Sequence, residues 1–240
     1  MEKKQCLVFD GDDTLWGNVW KYQLVEAKIL LFLAQRLKEK CWPFGKILDL
    51  NDKIDTEDVR DLGLDKSRFP TSWAKTYQQL CQEIKISPRE EDAQKIYDLA
   101  SGFWQPPFYF FEGAVKVLKE LRRRGYYLVL LTAGDREVQQ FKVDNLKAER
   151  YFDEVIIVAE DKALAIMAKA HIFGRSNVVM VGNSAHSDMA AAIKVRVRGV
   201  YIPMISDDWS YHNLRRVSSR AWQKYITQLK TLDEILTLFP

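Results

Sequence analysis

From Gly113 onward, the sequence alternates between short apolar runs and segments with helical periodicity. This alternation is typical of strand-helix-strand units, whose strands pair in a parallel sheet with helices on both faces. It therefore predicts an α/β fold with a Rossmann-like, doubly wound parallel sheet. The predicted strands span residues 126–132, 155–158, 178–181 and 199–202, and the predicted helices end near residue 124 or span residues 136–146, 162–170 and 188–194.

A further apolar run, residues 6–9, ends at Asp10 and has the length of a buried strand. Residues 16–107 instead carry helical periodicity, with one predicted capping box at residues 87–90. Another capping box at Thr231 predicts a closing helix. The simplest organisation is an α/β core, residues 1–15 and 108–240, into which an all-helical cap, residues 16–107, is inserted, because a loop insertion costs little entropy.

The bulk composition excludes several classes of partner. Lys and Arg number 36 against 33 Asp and Glu, and no region gathers a basic stripe, so we expect no nucleic-acid partner. We also expect no membrane partner, because neither a signal peptide nor an apolar stretch of spanning length is present. The three cysteines form neither a disulfide framework nor a zinc pattern, and we expect a cytoplasmic protein.

Residues that can carry chemistry stand directly after the predicted strands. Because a parallel sheet binds ligands at the carboxyl ends of its strands, these residues are expected to converge on one pocket. The four stretches are Asp10-Gly11-Asp12-Asp13-Thr14, Thr132-Ala133-Gly134-Asp135, Asp161-Lys162 and Gly182-Asn183-Ser184-Ala185-His186-Ser187-Asp188.

This set and its chain order resemble the haloacid dehalogenase superfamily over nearly the whole chain. That family's first motif is an apolar strand ending in Asp-x-Asp-x-Thr, which is matched here by residues 8–14. Thr132 and the preceding residues are similar to the second motif, Lys162 to the third, and residues 182–188 to the fourth. The helical segment after the first motif is similar to the family's α-helical cap.

The resemblance implies a phosphatase in which Asp10 is the nucleophile that carries the phosphoryl group. Asp12 is free to protonate the leaving alkoxide and later to deprotonate the hydrolytic water. Thr132, Lys162 and the backbone at Ala133 are the expected phosphate-binding groups.

Mg²⁺ is the expected cofactor, because it prefers hard oxygen ligands and cancels phosphate charge. Its expected ligands are Asp10, Asp188 and, as the resemblance implies, the backbone carbonyl of Asp12. The fourth motif often carries an acidic residue where this chain has Asn183, which can still contribute a carbonyl oxygen but brings no charge.

Several alternatives remain open at this point. A 2-haloacid dehalogenase uses a similar aspartate but has no use for a general acid at Asp12 or for Mg²⁺. A phosphosugar mutase would transfer the same phosphoryl group to a sugar, and a catalytically weak phosphate-binding protein would only hold it. We expect the partner to be a small phosphorylated metabolite admitted by a mobile helical lid; a homodimer through apolar cap helices is the alternative use of that segment.

Overall fold

The computed structural model describes residues 5–203 and 218–240. The chain divides into two compact units, one formed by Met1–Asn18 with Pro107–Pro240 and the other by Val19–Pro106. Within the described ranges, no helix combines the length and the apolarity that crossing a bilayer requires.

The first unit is built on a six-stranded sheet in which all neighbouring strands are parallel. This confirms the predicted α/β class. The sheet order is β3-β2-β1-β4-β5-β6, so the first strand lies near the centre and the chain winds outward in both directions. The strands are β1 (Cys6–Phe9), β2 (Tyr127–Ala133), β3 (Glu154–Val158), β4 (Val178–Gly182), β5 (Arg198–Tyr201) and β6 (Ile226–Gln228).

Helices cover both faces of this sheet. They are α5 (Ala114–Arg123), α6 (Arg136–Leu146), α7 (Ala163–Phe173), α8 (Ala190–Val195), α9 (Ser219–Tyr225) and α10 (Ile235–Leu238). All four side chains of β1 are buried because alternate residues face opposite layers. Leu7 and Phe9 pack in the layer that includes residues of α5 and α10, whereas Cys6 and Val8 pack in the layer that includes residues of α7 and α8.

The second unit contains four α-helices: α1 (Val19–Leu37), α2 (Phe44–Leu62), α3 (Arg68–Glu83) and α4 (Glu90–Ala100). Its core includes the fully buried side chains of Ile29, Trp73 and Ile96. The helical character predicted for this segment is thus observed, although α1 begins at Val19. Trp16 is buried in the core of the α/β unit instead and forms a backbone bridge with Phe110.

The predicted capping boxes are wrong in their detail. Helix α4 begins at Glu90 after Arg89, and no side chain caps it. Three acidic residues in its first turn complement the positive end of the helix dipole, so the helix start does not need the Ser87 hydroxyl. Likewise, Thr231 precedes a short 3₁₀ turn without a side-chain cap hydrogen bond.

Candidate active site

The sheet register brings the first, second and fourth motifs to the same edge. Phe9 pairs with Leu130 on one side and with Val181 on the other. The backbone N–H of Asp10 donates to the carbonyl oxygen of Val181 at 2.9 Å, which continues the ladder one residue beyond the strand. The residues that follow these strands therefore meet at one carboxyl edge of the sheet.

Asp10 is buried and is held by Lys162 and Thr14. The Lys162 ammonium donates to Oδ1 of Asp10, and the Thr14 hydroxyl lies 3.0 Å from Oδ2. Lys162 also donates to Oδ1 of Asp188 at 2.7 Å. One lysine thus joins the carboxylates of the first and fourth motifs, and these three predicted site residues lie together.

The charges at this point do not balance. Two carboxylates, Asp10 and Asp188, share the single ammonium of Lys162, and all three side chains are at least nine-tenths buried. Burial raises the pKa of Asp10 to about 7, although the nearby Lys162 pulls it down. Burial alone would lower the pKa of Lys162, but the attraction of the two carboxylates outweighs it and raises the pKa. When both carboxylates are ionised, the site therefore has one unit of negative charge beyond what Lys162 can offset.

The Thr14 hydroxyl links the first motif to the fourth. It lies 3.0 Å from Oδ1 of Asn183 and also accepts the backbone N–H of Asn183 at 3.0 Å. Because Thr14 has one hydroxyl hydrogen, it cannot be donated fully to both Asp10 Oδ2 and Asn183 Oδ1. These two oxygens therefore keep acceptor capacity for a further partner.

Asp188 is fully buried beneath the fourth-motif loop. Its Oδ2 accepts the backbone N–H of Ser184 at 3.0 Å. A Cβ atom at Gly182 would lie 2.1 Å from this same oxygen, so only glycine allows the carboxylate to take this position. The glycine of the fourth motif is thus explained by the close approach of Asp188 to the backbone of β4.

Asp12 has its own set of donors, separate from those of Asp10. Its Oδ1 accepts the indole N–H of Trp16 at 2.7 Å. Its Oδ2 accepts Gln139 Nε2 at 2.9 Å and Lys142 Nζ at 2.6 Å. Burial raises the pKa of Asp12, but the Lys142 charge and these hydrogen bonds outweigh burial and hold the pKa below its usual value.

The loop after β1 is folded tightly around Trp16. A Cβ atom at Gly11 would lie 2.3 Å from the Trp16 ring, so the indole can reach Asp12 only across a glycine. Asp13 adopts a left-handed backbone conformation with φ of 57°. Its backbone N–H donates to the Trp16 carbonyl at 2.7 Å, and its carboxylate accepts the backbone N–H of Asn18 at 2.7 Å.

The second motif is linked to Asp12 through Gln139. The buried Thr132 hydroxyl donates to Oε1 of Gln139 at 3.0 Å, and Gln139 Nε2 also donates to the carbonyl oxygen of Ala133 at 3.1 Å. Thr132 and Ala133, which are predicted to bind phosphate, are the last two residues of β2 and contact Gln139, one of the donors to Asp12. Their phosphate-binding role stays a prediction, and in this structure the Thr132 hydroxyl donates to Gln139.

Residues 4–196 match the family model of haloacid dehalogenase-like hydrolases. The chain belongs to that family. A search of curated proteins gives no match. The predicted resemblance to this family is therefore confirmed. The catalytic and binding roles of the strand-end residues stay predictions.

Solved structures of other haloacid dehalogenase-like proteins share the fold at low sequence identity. A family hydrolase from Xanthomonas campestris has 18% identity and a TM-score of 0.73, covering 99% of this chain and 92% of its own. The hydrolase YfnB from Bacillus subtilis, bound to magnesium, has 13% identity and a TM-score of 0.60, covering 99% of each chain. L-2-haloacid dehalogenase from Xanthobacter autotrophicus, with chloropropionic acid covalently bound, has 15% identity and a TM-score of 0.58, covering 98% of each chain.

The donor set of this hydrolase fits a hard divalent cation. Among the described residues, no three His, Cys, Asp or Glu side chains gather as a metal cluster. The predicted ligand set contains only two such side chains, Asp10 and Asp188, and adds the Asn183 amide oxygen and the Asp12 backbone oxygen. All four are oxygen donors, as Mg²⁺ prefers, and the uncompensated negative charge beside Lys162 favours a cation.

Four residues at the candidate site carry no role in the sequence-based prediction. Thr14 belongs to the first motif but was assigned no contact, and Trp16 was assigned to the helical segment. Gln139 and Lys142 were treated as ordinary residues of a predicted helix, although both are buried. Two polar residues one turn apart on the inner face of α6 are the signal that could have indicated them.

Proposed function

We propose that this hydrolase catalyses the Mg²⁺-dependent hydrolysis of a small phosphate monoester through a phosphoryl group carried on Asp10. The observation that supports this most directly is that two carboxylates of one loop are held by different lysines. Asp10 is held by Lys162, and Asp12 is held by Lys142. A reaction that needs both a nucleophile and a separate acid and base uses such an arrangement.

In the first step, a carboxylate oxygen of Asp10 attacks phosphorus and the ester oxygen leaves. Asp12 gives a proton to the departing alkoxide. The donors around Asp12 lower its pKa in the resting site, but the arriving phosphate dianion is a nearby negative charge that raises it. Lys162 offsets negative charge on the phosphoryl oxygens as a point charge.

In the second step, water attacks the phosphorus of the aspartyl-phosphate. Asp12 accepts a proton from this water, and the bond between phosphorus and the Asp10 oxygen breaks, which regenerates the Asp10 carboxylate and releases phosphate. When bound by Asp10, Asp188, Asn183 and the backbone carbonyl of Asp12, Mg²⁺ would supply neutralisation of charge on the phosphoryl group.

A dehalogenase is the main competing activity, because the similar structures include an L-2-haloacid dehalogenase. In that chemistry an aspartate attacks carbon and halide leaves without a proton. The three donors that hold Asp12 would then have no chemical purpose. Phosphoryl transfer to a sugar hydroxyl is the other alternative, since it uses the same aspartyl-phosphate with a different acceptor.

Small phosphorylated metabolites are the substrate class that we propose. The reason is that the helical segment is inserted directly after the first motif, where it is expected to act as a lid that limits substrate size. This expectation rests on the position of the segment in the sequence.

A panel of substrates tests the proposal. Phosphate release from p-nitrophenyl phosphate and from a set of phosphorylated metabolites should require Mg²⁺ and cease in excess EDTA. Chloride release from 2-chloropropionate should be absent, and inorganic phosphate should be the product even when sugar acceptors are added. Chloride release without phosphate release would show that the protein is a dehalogenase. Turnover undiminished by EDTA would contradict the assignment of Mg²⁺ as the cofactor.

A further inference from the structure

We infer that Lys142, with Gln139, is a positioning residue that orients the Asp12 carboxylate for proton transfer. The inference rests on the proposed function, since it assigns a purpose to residues that act through the acid and base of that reaction. Both residues lie on helix α6, which is outside the four motif stretches predicted from the sequence.

Lys142 is buried more deeply than Asp12, the carboxylate that it contacts. Its side chain is 1% exposed, whereas that of Asp12 is 20% exposed. The ammonium donates to Oδ2 of Asp12 at 2.6 Å and to Oδ1 of Asn18 at 2.9 Å, and lies 5.9 Å from the Phe108 ring centroid. The ammonium thus donates to two oxygens of the protein itself, and its effect on the reaction passes through Asp12.

Burying the Lys142 ammonium costs free energy of desolvation, and the fold does not require a charged side chain at this position. A buried ion pair is often no more stable than well-packed apolar side chains of similar volume. Lys142 lies on α6 beside the buried Val138 and Val143, so the helix already has apolar side chains with which to pack. The position is therefore better explained by what the ammonium does to Asp12 than by stability.

Gln139 adds a second point of attachment. It lies one helical turn before Lys142, and its amide accepts from Thr132 while donating to Asp12 Oδ2. Lys142 and Gln139 thus both hold Oδ2, and Trp16 holds Oδ1 from the other side. Three donors on two oxygens oppose rotation of the carboxylate about its Cβ–Cγ bond.

This arrangement leaves one oxygen for chemistry. Oδ2 accepts two hydrogen bonds, whereas Oδ1 accepts the Trp16 N–H and retains a second lone-pair direction. Oδ1 is therefore the atom that exchanges protons with the leaving oxygen and with water. Lys142 and Gln139 fix which oxygen does so.

The start of α6 sets both side chains in place. Asp135 caps the helix by accepting the backbone N–H groups of Glu137 at 2.9 Å and Val138 at 3.1 Å. Because the cap follows β2 directly, the first turns of α6 begin beside the second motif. Gln139 and Lys142 therefore approach Asp12 on the inner face of the helix.

The test compares Lys142→Met and Gln139→Met with wild type, alone and combined with Asp12→Asn. Lys169→Met is the matched control, because Lys169 is also a buried lysine of the α/β unit, paired with Glu154. We expect Lys142→Met to lower kcat about 10- to 100-fold for an alkyl phosphate, and much less for p-nitrophenyl phosphate, whose leaving group needs little protonation. KM should be unchanged, and Lys142→Met should add no further loss to Asp12→Asn.

Lys142→Arg supplies the conservative variant and should recover part of the lost kcat, because it keeps a charged donor next to Asp12. Thermal unfolding of every variant separates instability from catalysis; if Lys142→Met does not fold, Gln139→Met carries the same leaving-group comparison.

Equal losses for both leaving groups, or a full additional loss on the Asp12→Asn background, would overturn the positioning role while leaving the phosphatase proposal intact. A loss from Lys169→Met as large as that from Lys142→Met would do the same. A wild-type protein that hydrolyses no phosphate ester would instead remove the proposed function and this inference with it.

Discussion

The hydroxyl of Thr14 and the backbone N–H of Asn183 are joined by a 3.0 Å hydrogen bond that connects the loop after β1 to the loop after β4. The same hydroxyl lies 3.0 Å from Oδ2 of Asp10. The Thr14 side chain therefore links the predicted nucleophile, Asp10, to the fourth-motif residue Asn183.

Thr14→Val should separate the two loops, because it keeps the side-chain volume but removes the hydroxyl. Leaving the N–H of Asn183 and an oxygen of Asp10 without their partner should cost about 1–3 kcal/mol of unfolding free energy. Thr14→Ser is the matched control and should retain most of the stability. Chemical denaturation measures both, and equal stability of the two variants would show that the hydroxyl bonds are dispensable.

Gly182→Ala should displace Asp188, because the added Cβ would lie 2.1 Å from its Oδ2. The expected result is weaker Mg²⁺ binding and lower kcat, together with an overpacking cost of about 1–3 kcal/mol. Gly45→Ala is the control, since nothing lies within 4 Å of the corresponding Cβ in helix α2. Calorimetric Mg²⁺ titration of both variants decides the matter, and unchanged Mg²⁺ affinity in Gly182→Ala would contradict the assignment of Asp188 as a ligand.

Asp188→Ala should weaken Mg²⁺ binding, and Asn183→Asp should strengthen it by adding charge to the same ligand set. Ca²⁺ should support activity poorly, because its larger and looser shell disturbs the in-line geometry. Asp144→Ala, which removes an exposed carboxylate of α6, serves as the control. An Asn183→Asp variant with unaltered Mg²⁺ affinity would locate Asn183 outside the metal's shell.

Asp12→Asn should slow the hydrolysis of alkyl phosphates by about two to four orders of magnitude, the range typical of a lost general acid or base. The phosphorylation step with p-nitrophenyl phosphate should be affected less, because p-nitrophenolate leaves without protonation. Rapid-quench kinetics isolates this step. An equal loss for both leaving groups would argue that Asp12 is not the acid.

The sheet and its edge could be predicted from the sequence because local signals determine them. Helix α6 has the predicted bounds, residues 136–146, since its apolar periodicity coincides with a capping aspartate at Asp135. The central strand was recognisable from an apolar run that ends at Asp10. The three-residue strand β6 was not predicted, because so short a segment carries no periodicity of its own.

The cluster around Asp12 could not be predicted in the same way. Lys142 and Asp12 are far apart in sequence, and a lysine on a helix is exposed far more often than buried. Its burial depends on the direction from which α6 approaches the sheet, which periodicity alone does not specify. Trp16 was placed in the wrong unit because an aromatic residue ahead of a helical segment resembles part of that segment.

Trapping the phosphoryl group on Asp10 tests the central claim most directly. Wild-type protein is mixed with Mg²⁺ and a phosphate ester that it hydrolyses, quenched in acid during turnover, and digested for mass spectrometry. The account predicts one phosphoryl group on the peptide containing Asp10, and no phosphopeptide and a kcat lower by several orders of magnitude in a folded Asp10→Asn variant. Near-normal turnover by that folded variant would contradict the covalent mechanism.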